Sequence, residues 1–547
     1  MPSATSAPDI QFIGDRLAVR FDRFDMPAYN LFLKFKRLPE SHVEYDSVLE
    51  RYSIDVPRRY ARMLDVPMPP LAKPDLPFSA FLFDDQAAIV PMALDAKRFA
   101  VWSDCGLGKT LIELEFARHV IHRTGERVLL ITMNDIVPQI IEEAAKFYGD
   151  SLPIYRIKNR SDLKRWCKEG NGDDVQLAIC NYEKMNPDAD GQDVPEMRYL
   201  AGLVLDESSR LKTGGGKQKW ALIHSSKGIE YKLSCTATPA PNDAMEFASQ
   251  ASFLETMRSE EDILWTYFDR DEKTHRWTVK PHARAAFFDF MSSWSIYVRD
   301  PRAYGWRKNH HPVPEPIIVT HEIAQTAEQA AASRKYCTET TGQRLLLRKE
   351  DVNTIERAKL SQIAKGFAYL KGEKGKFERI PSLKPAFVAD LIEAESRDGQ
   401  QGLIWTVFDA ESQILAEELQ RRGVAFELLT GATKDADRAR ILDGFKAGTV
   451  QRLIGRASML GYGQNLQMCE WMIFNGWNDS YEAYYQAIRR AYRHGQTKRV
   501  RVHLPVVRDL EGDMLDNLFC KEAKHLAAVA EMEANYIRTM QTWGMVA

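Results

Sequence analysis

Residues 105–110 read Cys-Gly-Leu-Gly-Lys-Thr, between an apolar strand, Phe99-Ala-Val-Trp102, and a helical run, 111–118. No other short segment limits the fold of this chain so strongly. Strand, glycine turn and helix in that order make a cradle for phosphate. Glycines let backbone N–H groups wrap the anion, and the helix N-terminus adds a favourable dipole. Lys109 places a cation against β and γ oxygens, and Thr110 offers a hydroxyl to Mg²⁺. Gly106, Leu107, Gly108, Lys109 and Thr110 are therefore the candidate nucleotide-binding residues. Ser103 stands where the strict G-x-x-x-x-G-K-[ST] pattern has its first glycine. A Gly-x-Gly-Lys-Thr turn also occurs as an ordinary loop.

A second segment narrows that choice. Residues 203–207, Leu-Val-Leu-Asp-Glu, form an apolar strand ending in two carboxylates. Asp206 can hold Mg²⁺ through its water shell, and Glu207 can orient or deprotonate an attacking water. Alone, such a pair is an ordinary polar turn. Roughly 100 residues after a phosphate loop, at the end of a later strand of the same block, it is the partner that hydrolysis needs.

The periodicity around these segments predicts an α/β fold. Strands are expected at 98–102, 128–132, 176–180, 201–205 and 230–235, alternating with helices, which implies a parallel sheet covered on both faces. The same grammar returns at 402–406, 425–429, 451–454, 471–474 and 499–506, with helices at 411–421, 435–446 and 481–493. Residues 17–23 read as a strand, 28–37 and 512–541 as helices. The resulting division is a small α+β unit (1–75), a nucleotide-binding lobe (76–245), a helical middle with a linker (246–395), a second lobe (396–510) and a closing helical segment (511–547).

Composition excludes several classes. Lys and Arg total 74 and Asp and Glu 76, a net charge of −2, which rules out a uniformly basic nucleic-acid binder but leaves room for a basic groove. The seven cysteines have no close metal or redox spacing, and His310-His311 forms no metal box. No apolar run reaches the length of a membrane helix, and Met1–Ile10 lacks the basic and apolar regions of a signal peptide. A cytoplasmic protein without membrane contact is the expectation.

Further clusters carry a family resemblance. Phe83-Asp-Asp-Gln86 precedes the phosphate loop, Asp206-Glu-Ser-Ser-Arg-Leu-Lys212 includes the carboxylates, and Cys235-Thr-Ala-Thr-Pro-Ala-Pro-Asn242 comes after them. In the second block stand Gly461-Tyr-Gly-Gln-Asn-Leu-Gln467 and the long run Trp477 to Gln496. Together, over roughly residues 81–525, these resemble the superfamily-2 helicases of the Swi/Snf-like branch, especially compact bacterial and phage versions with a DEAD/DEAH-type box. The resemblance implies two RecA-like lobes with helical insertions, ATP and Mg²⁺ as cofactors, and ATP hydrolysis coupled to movement on DNA. It implies that Gln86 reads adenine, that Gly463 belongs to the nucleotide site, and that Thr236 links ATP state to nucleic acid. An arginine from a second lobe can neutralise charge on the γ-phosphate only when the lobes close. By position Arg493 is that finger, with Arg490 beside it and Gln486 near the water or phosphate. A lone Arg-Arg pair would otherwise be a solvated face.

The middle region supports the branch by its length, about 165 residues from Thr238 to the next lobe. Trp294–Arg299 resembles a strand-like return, and Lys384 a segment leading into lobe two. Departures concern nucleic acid. Ser208-Ser209 replace Ala-His, so a histidine link to Cys235-Thr236 is either absent or replaced by hydroxyl hydrogen bonds. Asp135 would repel a phosphate, and Arg489 replaces a glycine. Candidate DNA contacts are Lys212 with Thr213-Gly-Gly-Gly-Lys217, Thr406, Thr430 and Asn465. Lys498–Arg501 alternates like a half-buried edge strand. Lys34, Lys36 and Arg37 of the first unit are further candidates, with a packing role as the plain alternative. An RNA helicase and a nucleotide-gated DNA scaffold with little turnover are the competing functions.

Overall fold

A computed structural model describes residues 9–544 except 22–24, 39, 65, 67–75, 187–192, 213–215, 240–245, 258, 272–276, 309–312, 342–348, 371, 374, 398, 457–464, 478–479, 494 and 543. Gly461–Gln464 (with Gly463), the glycines 214 and 215, Ala240–Asn242, Asn478-Asp479, His494 and His310-His311 thus lie outside the described residues. The chain divides into two compact units, residues 1–104, 108–310 and 529–547 in one, and 105–107 with 311–528 in the other.

The first unit begins with an antiparallel sheet of β1 (Asp9–Ile13), β2 (Arg16–Phe21), β3 (His42–Asp46) and β4 (Arg51–Pro57), ordered β1-β2-β4-β3. Leu17 and Val19 of β2 pair with Val56 and Ile54 of β4 and share one buried face. The helix Met26–Lys36 covers it, with Phe32 edge-on to Phe21 and Tyr52. Asp25 caps that helix through the Ala28 N–H. Tyr60, fully buried, stacks on Phe290, and Arg59 donates to the Thr256 carbonyl. These two contacts seat the end of the small sheet on the helical region of the same unit.

The main sheet contains β5 (Arg98–Ser103), β6 (Val128–Thr132), β7 (Ile154–Arg156), β8 (Leu177–Asn181), β9 (Gly202–Leu205) and β10 (Tyr231–Thr236). A hairpin of β11 (Phe268–Arg270) and β12 (Trp277–Val279) intervenes before β13 (Ser295–Val298), which returns to the sheet. The order is β13-β5-β10-β9-β6-β8-β7, and every pair is parallel. Near-continuous apolar strands are what a parallel sheet buried on both faces requires. The Ser295–Val298 strand lies where the resemblance implied a strand-like return, within the otherwise helical middle. Its residues are fully buried beside β5, so it completes the edge next to the phosphate loop.

In the second unit β14 (Ile317–Ile323) is followed by a hairpin, β15 (Phe367–Tyr369) and β16 (Phe377–Arg379), then β17 (Gly402–Trp405), β18 (Glu427–Leu428), β19 (Arg452–Gly455), β20 (Trp471–Phe474) and β21 (Arg501–Val507). The sheet order is β14-β21-β20-β17-β19-β18, again parallel throughout. Two RecA-like lobes with helical insertions describe the chain. Two expectations need correction. The strand after Lys498 is not at an edge, because β14 covers it, and Val502–Val507 are buried. The helix expected over 481–493 ends at Ile488, where Arg489 caps it and lies over the rings of Tyr485 and Tyr492 at 5.1 and 4.4 Å.

The last helix, Arg508–Thr542, starts in the second unit, and its residues from Val529 belong to the first. There Tyr536 is fully buried, bonded to the Ser295 hydroxyl and edge-on to Trp102 at 6.4 Å. Glu533 accepts from the Arg299 and Asp300 N–H groups at 3.0 Å each.

Candidate nucleotide site and second-unit arginines

β5 ends at Ser103, and the backbone turns to start the next helix, Lys109–Thr124. Gly106 and Gly108 have φ of +85° and +71°, the left-handed region where a side chain is strained. A Cβ on Gly108 would also lie 2.4 Å from Nε2 of Gln86. Gln86, buried in the first turn of the helix Asp84–Ala96, accepts from the Phe83 N–H at 3.0 Å and donates to the Gly108 carbonyl at 3.3 Å. Lys109 Nζ donates to the carbonyls of Ser103 (2.8 Å) and Asp104 (3.3 Å). Ser103 therefore contributes through its backbone, which explains why a serine serves where the strict pattern has glycine. Thr110 is next, half-buried.

Asp206 and Glu207 follow β9. Asp206 is buried and fixed on every side: Thr132 Oγ1 donates to Oδ2 at 2.6 Å, the Glu207 N–H to Oδ1 at 2.9 Å, and the Tyr182 hydroxyl to its carbonyl at 2.7 Å. Burial pushes its pKa up, while Thr132 and the Lys109 charge pull it down. Glu207 has φ of +50°, a strained backbone that a turn presenting one carboxylate can exploit. Glu113, wholly buried one helical turn after Lys109, has its pKa raised well above the carboxylate range by burial first and by the Asp206 charge second. Thr132, Tyr182 and Glu113 were not singled out from sequence. An acid inside the apolar run Leu111–Leu114 was the available signal for Glu113.

Backbone N–H groups, an ammonium, a hydroxyl and a buried carboxylate form a donor set suited to a triphosphate with a divalent cation. Asp206 keeps lone pairs beyond the two bonds it accepts, so the residues present fit the group.

In the second unit Arg490 and Arg493 lie in the turn after the helix Tyr481–Ile488. Arg490 is buried, with its guanidinium 5.8 Å from the Trp405 ring centre. Gln486 donates to Glu482 at 3.3 Å. Gln496, also buried, donates to the carbonyls of Gln467 and Cys469, which fixes the end of this turn.

The candidate nucleic-acid residues do not share one character. Asn465 is exposed and accepts from the Gln467 N–H, an Asx-type turn. Thr430 is half-buried and accepts from the Ala432 N–H. Thr236 and Thr406 are buried, Thr406 against the Ser412 hydroxyl at 2.8 Å. Lys212 closes the short turn Ser208–Lys212. A basic pocket of about 250 Å³ opens at the C-terminal ends of β6, β7 and β8, where Arg156, Lys158 and Lys184 join Asn134 and Asn181. Asn181 is buried and donates to Asn134 at 2.9 Å. Its cations are spread over 29 residues of sequence, so no local run announced them.

Comparison with known families agrees with this layout. Residues 80–241 match the family model described as type III restriction enzyme, res subunit, and residues 383–495 match the helicase conserved C-terminal domain. The two fall in order on the first and second parallel sheets. A curated relative, Protein CHROMATIN REMODELING 24 of Arabidopsis thaliana, is 30% identical over 125 residues. That alignment takes in 22% of this chain and 11% of the relative, so the chain spans about a tenth of that protein. Most strands of both parallel sheets fall within the two family matches. A solved Sulfolobus solfataricus SWI2/SNF2 ATPase core in complex with dsDNA is 20% identical, covering 83% of this chain and 97% of that one at a TM-score of 0.37. Gln86, the phosphate loop, the carboxylates and Thr236 fall in the first matched range. Thr406, Thr430, Asn465, Gln486, Arg490 and Arg493 fall in the second.

Proposed function

We propose that the chain is an ATP-dependent DNA translocase or helicase, a nucleic-acid-stimulated ATP hydrolase that moves on duplex or branched DNA without reading sequence. The observation that carries the reading is the arrangement of Lys109 and the buried Asp206 beside a glycine turn with two left-handed residues. Gly106, Leu107, Gly108, Lys109 and Thr110 would hold the phosphates, and Gln86 the adenine. Thr110 and Asp206 would hold Mg²⁺, which when bound neutralises charge on the β and γ oxygens. Glu207 would orient the attacking water and accept its proton. Arg493, with Arg490 and Gln486, would stabilise charge on the transferred phosphoryl group, a contribution of about 10³–10⁵ in rate where such an arginine acts. Gly463 is assigned to the nucleotide site by resemblance alone.

The DNA backbone would be met by Lys212, Thr430 and Asn465, and by the pocket of Arg156, Lys158 and Lys184, since phosphate contacts suit a motor that must not read bases. Thr236 and Thr406, both buried, would act by supporting the loops that come after them. Among the described residues no helix is long and apolar enough to cross a membrane. A cytoplasmic place, in a bacterial or phage-infected cell, fits the reading.

ATP turnover measured with and without duplex DNA tests it. Stimulation by DNA is expected, with Lys109→Ala and Glu207→Gln both inactive. Equal rates with and without DNA, stimulation by RNA alone, or full activity in either variant would reject the proposal.

A further inference from the structure

The helix Glu246–Phe253 buries a glutamine where its polar end needs a reason. Gln250 is 1% exposed. Its Oε1 accepts from Trp102 Nε1 at 2.8 Å, Ser234 Oγ at 3.1 Å and Ser208 Oγ at 3.5 Å. Its Nε2 donates to the Pro239 carbonyl at 3.1 Å. The indole N–H can only donate and the carbonyl can only accept, so these two partners fix which way the amide points.

Each partner lies on a segment of the nucleotide site. Trp102 is in β5, one residue before Ser103, whose carbonyl receives Lys109. Ser208 directly follows Glu207. Ser234 is in β10, two residues before Thr236, and Pro239 closes the Thr236-Ala-Thr turn. All three hydrogen-bonding side chains, Trp102, Ser208 and Ser234, are fully buried.

We propose that Gln250 is a positioning residue that makes the carboxylate turn and the Thr236–Pro239 segment move together. It rests on the ATPase reading and deepens it. An amide oxygen has two lone pairs and here meets three donors, so the bonds compete. The Ser208 contact is the longest, and it adjoins the strained backbone of Glu207. A change at Glu207 that draws Ser208 onto Oε1 weakens the Ser234 bond to the same atom. The amide turns slightly, and its other end carries the Pro239 carbonyl with it. Occupancy of the phosphate site is thereby felt at the Thr236–Pro239 segment.

The test compares ATP turnover with and without duplex DNA in the full chain for Gln250→Met, Ser208→Ala, the double variant and Ser249→Ala. Ser249 is a neighbouring buried hydroxyl bonded to Lys219, with no bond to Gln250. The DNA stimulation ratio is expected to fall about tenfold in Gln250→Met and in Ser208→Ala, within the range of coupling between two sites. It should fall no further in the double variant and stay at the wild-type value in Ser249→Ala, at similar thermal midpoints. A merely structural glutamine would lower the midpoint and leave the ratio alone. A wild-type ratio in Ser208→Ala, or full additivity in the double variant, overturns the proposal. If Gln250→Met does not fold, Ser208→Ala against Ser249→Ala decides. If the wild type itself hydrolyses ATP no faster with DNA than without, or no faster than Lys109→Ala, the ATPase reading fails first, an outcome distinct from loss of the ratio in the variants alone.

Discussion

Gly108 is constrained twice over, and the constraints can be separated. Its φ of +71° costs any other residue about 1–2 kcal/mol of backbone strain. A Cβ would also press on Gln86 Nε2 at 2.4 Å. Gly108→Ala is therefore expected to move the Gln86 side chain and the first N–H groups of the Lys109 helix. ATP hydrolysis should drop at least about tenfold, the scale of losing one well-placed binding group, while unfolding by heat changes little. Gln86→Ala should raise the KM for ATP with a smaller effect on kcat if Gln86 meets the adenine as proposed, because it leaves the phosphate loop free of the clash. Steady-state kinetics on both variants checks the distinction.

At the scale of elements, strands with a buried face are legible in the sequence, and largely exposed edge strands are not. β6 and β20 lie where the apolar runs predicted, because a continuous Val-Leu-Leu-Ile run has no other stable place than a covered parallel sheet. β14 was missed because most of its residues face out at a sheet edge, so polar Thr320, His321 and Glu322 interrupt the pattern. β3 was missed for the same reason, all five of its residues being exposed. The helix boundary at Ile488 was invisible because Arg489 ends it by stacking on tyrosines, a contact without a propensity signal. Gln250 was overlooked because a polar residue within a short helix normally faces water, and only the fold shows it turned inward. The phosphate loop and carboxylates, by contrast, were legible because their chemistry fixes residue type at fixed spacing.

The pairing of β14 with β21 also carries a pH dependence. His321 Nε2 and His503 Nδ1 are 2.9 Å apart, and His503 lies 3.2 Å from Glu395. Burial lowers the pKa of His503 first; His321 and Arg501 lower it further, and Glu395 opposes them without prevailing. A histidine held below its ordinary 6.5 is neutral in the fold and takes up a proton more readily when unfolded. Its stabilising share is complete above that value and is lost as pH falls through the folded pKa. The thermal midpoint of the wild type is expected to decline between about pH 7 and pH 5, the window where histidine charge changes. His503→Gln should flatten that decline. Melting curves across the range check it.

At the scale of the whole molecule, sequence order and spatial order part company. The first unit takes its final helix from residues 529–547. Tyr536, buried against Trp102 and bonded to Ser295, makes that return structural. Tyr536→Ala should destabilise the unit by about 3 kcal/mol, the lower end for removing a buried aromatic ring. Urea unfolding of the full chain, with an early transition appearing in the variant, checks this.

This return has a consequence for birth of the protein on the ribosome. Roughly 220 residues separate His310 from Val529. At about 5–20 residues per second, roughly 10–45 s pass between synthesis of the first unit's parallel sheet and arrival of the segment that packs on Trp102. During that interval the sheet waits with an aromatic seam open to water and to chaperones. The candidate nucleotide site is made well before the segment that supports it.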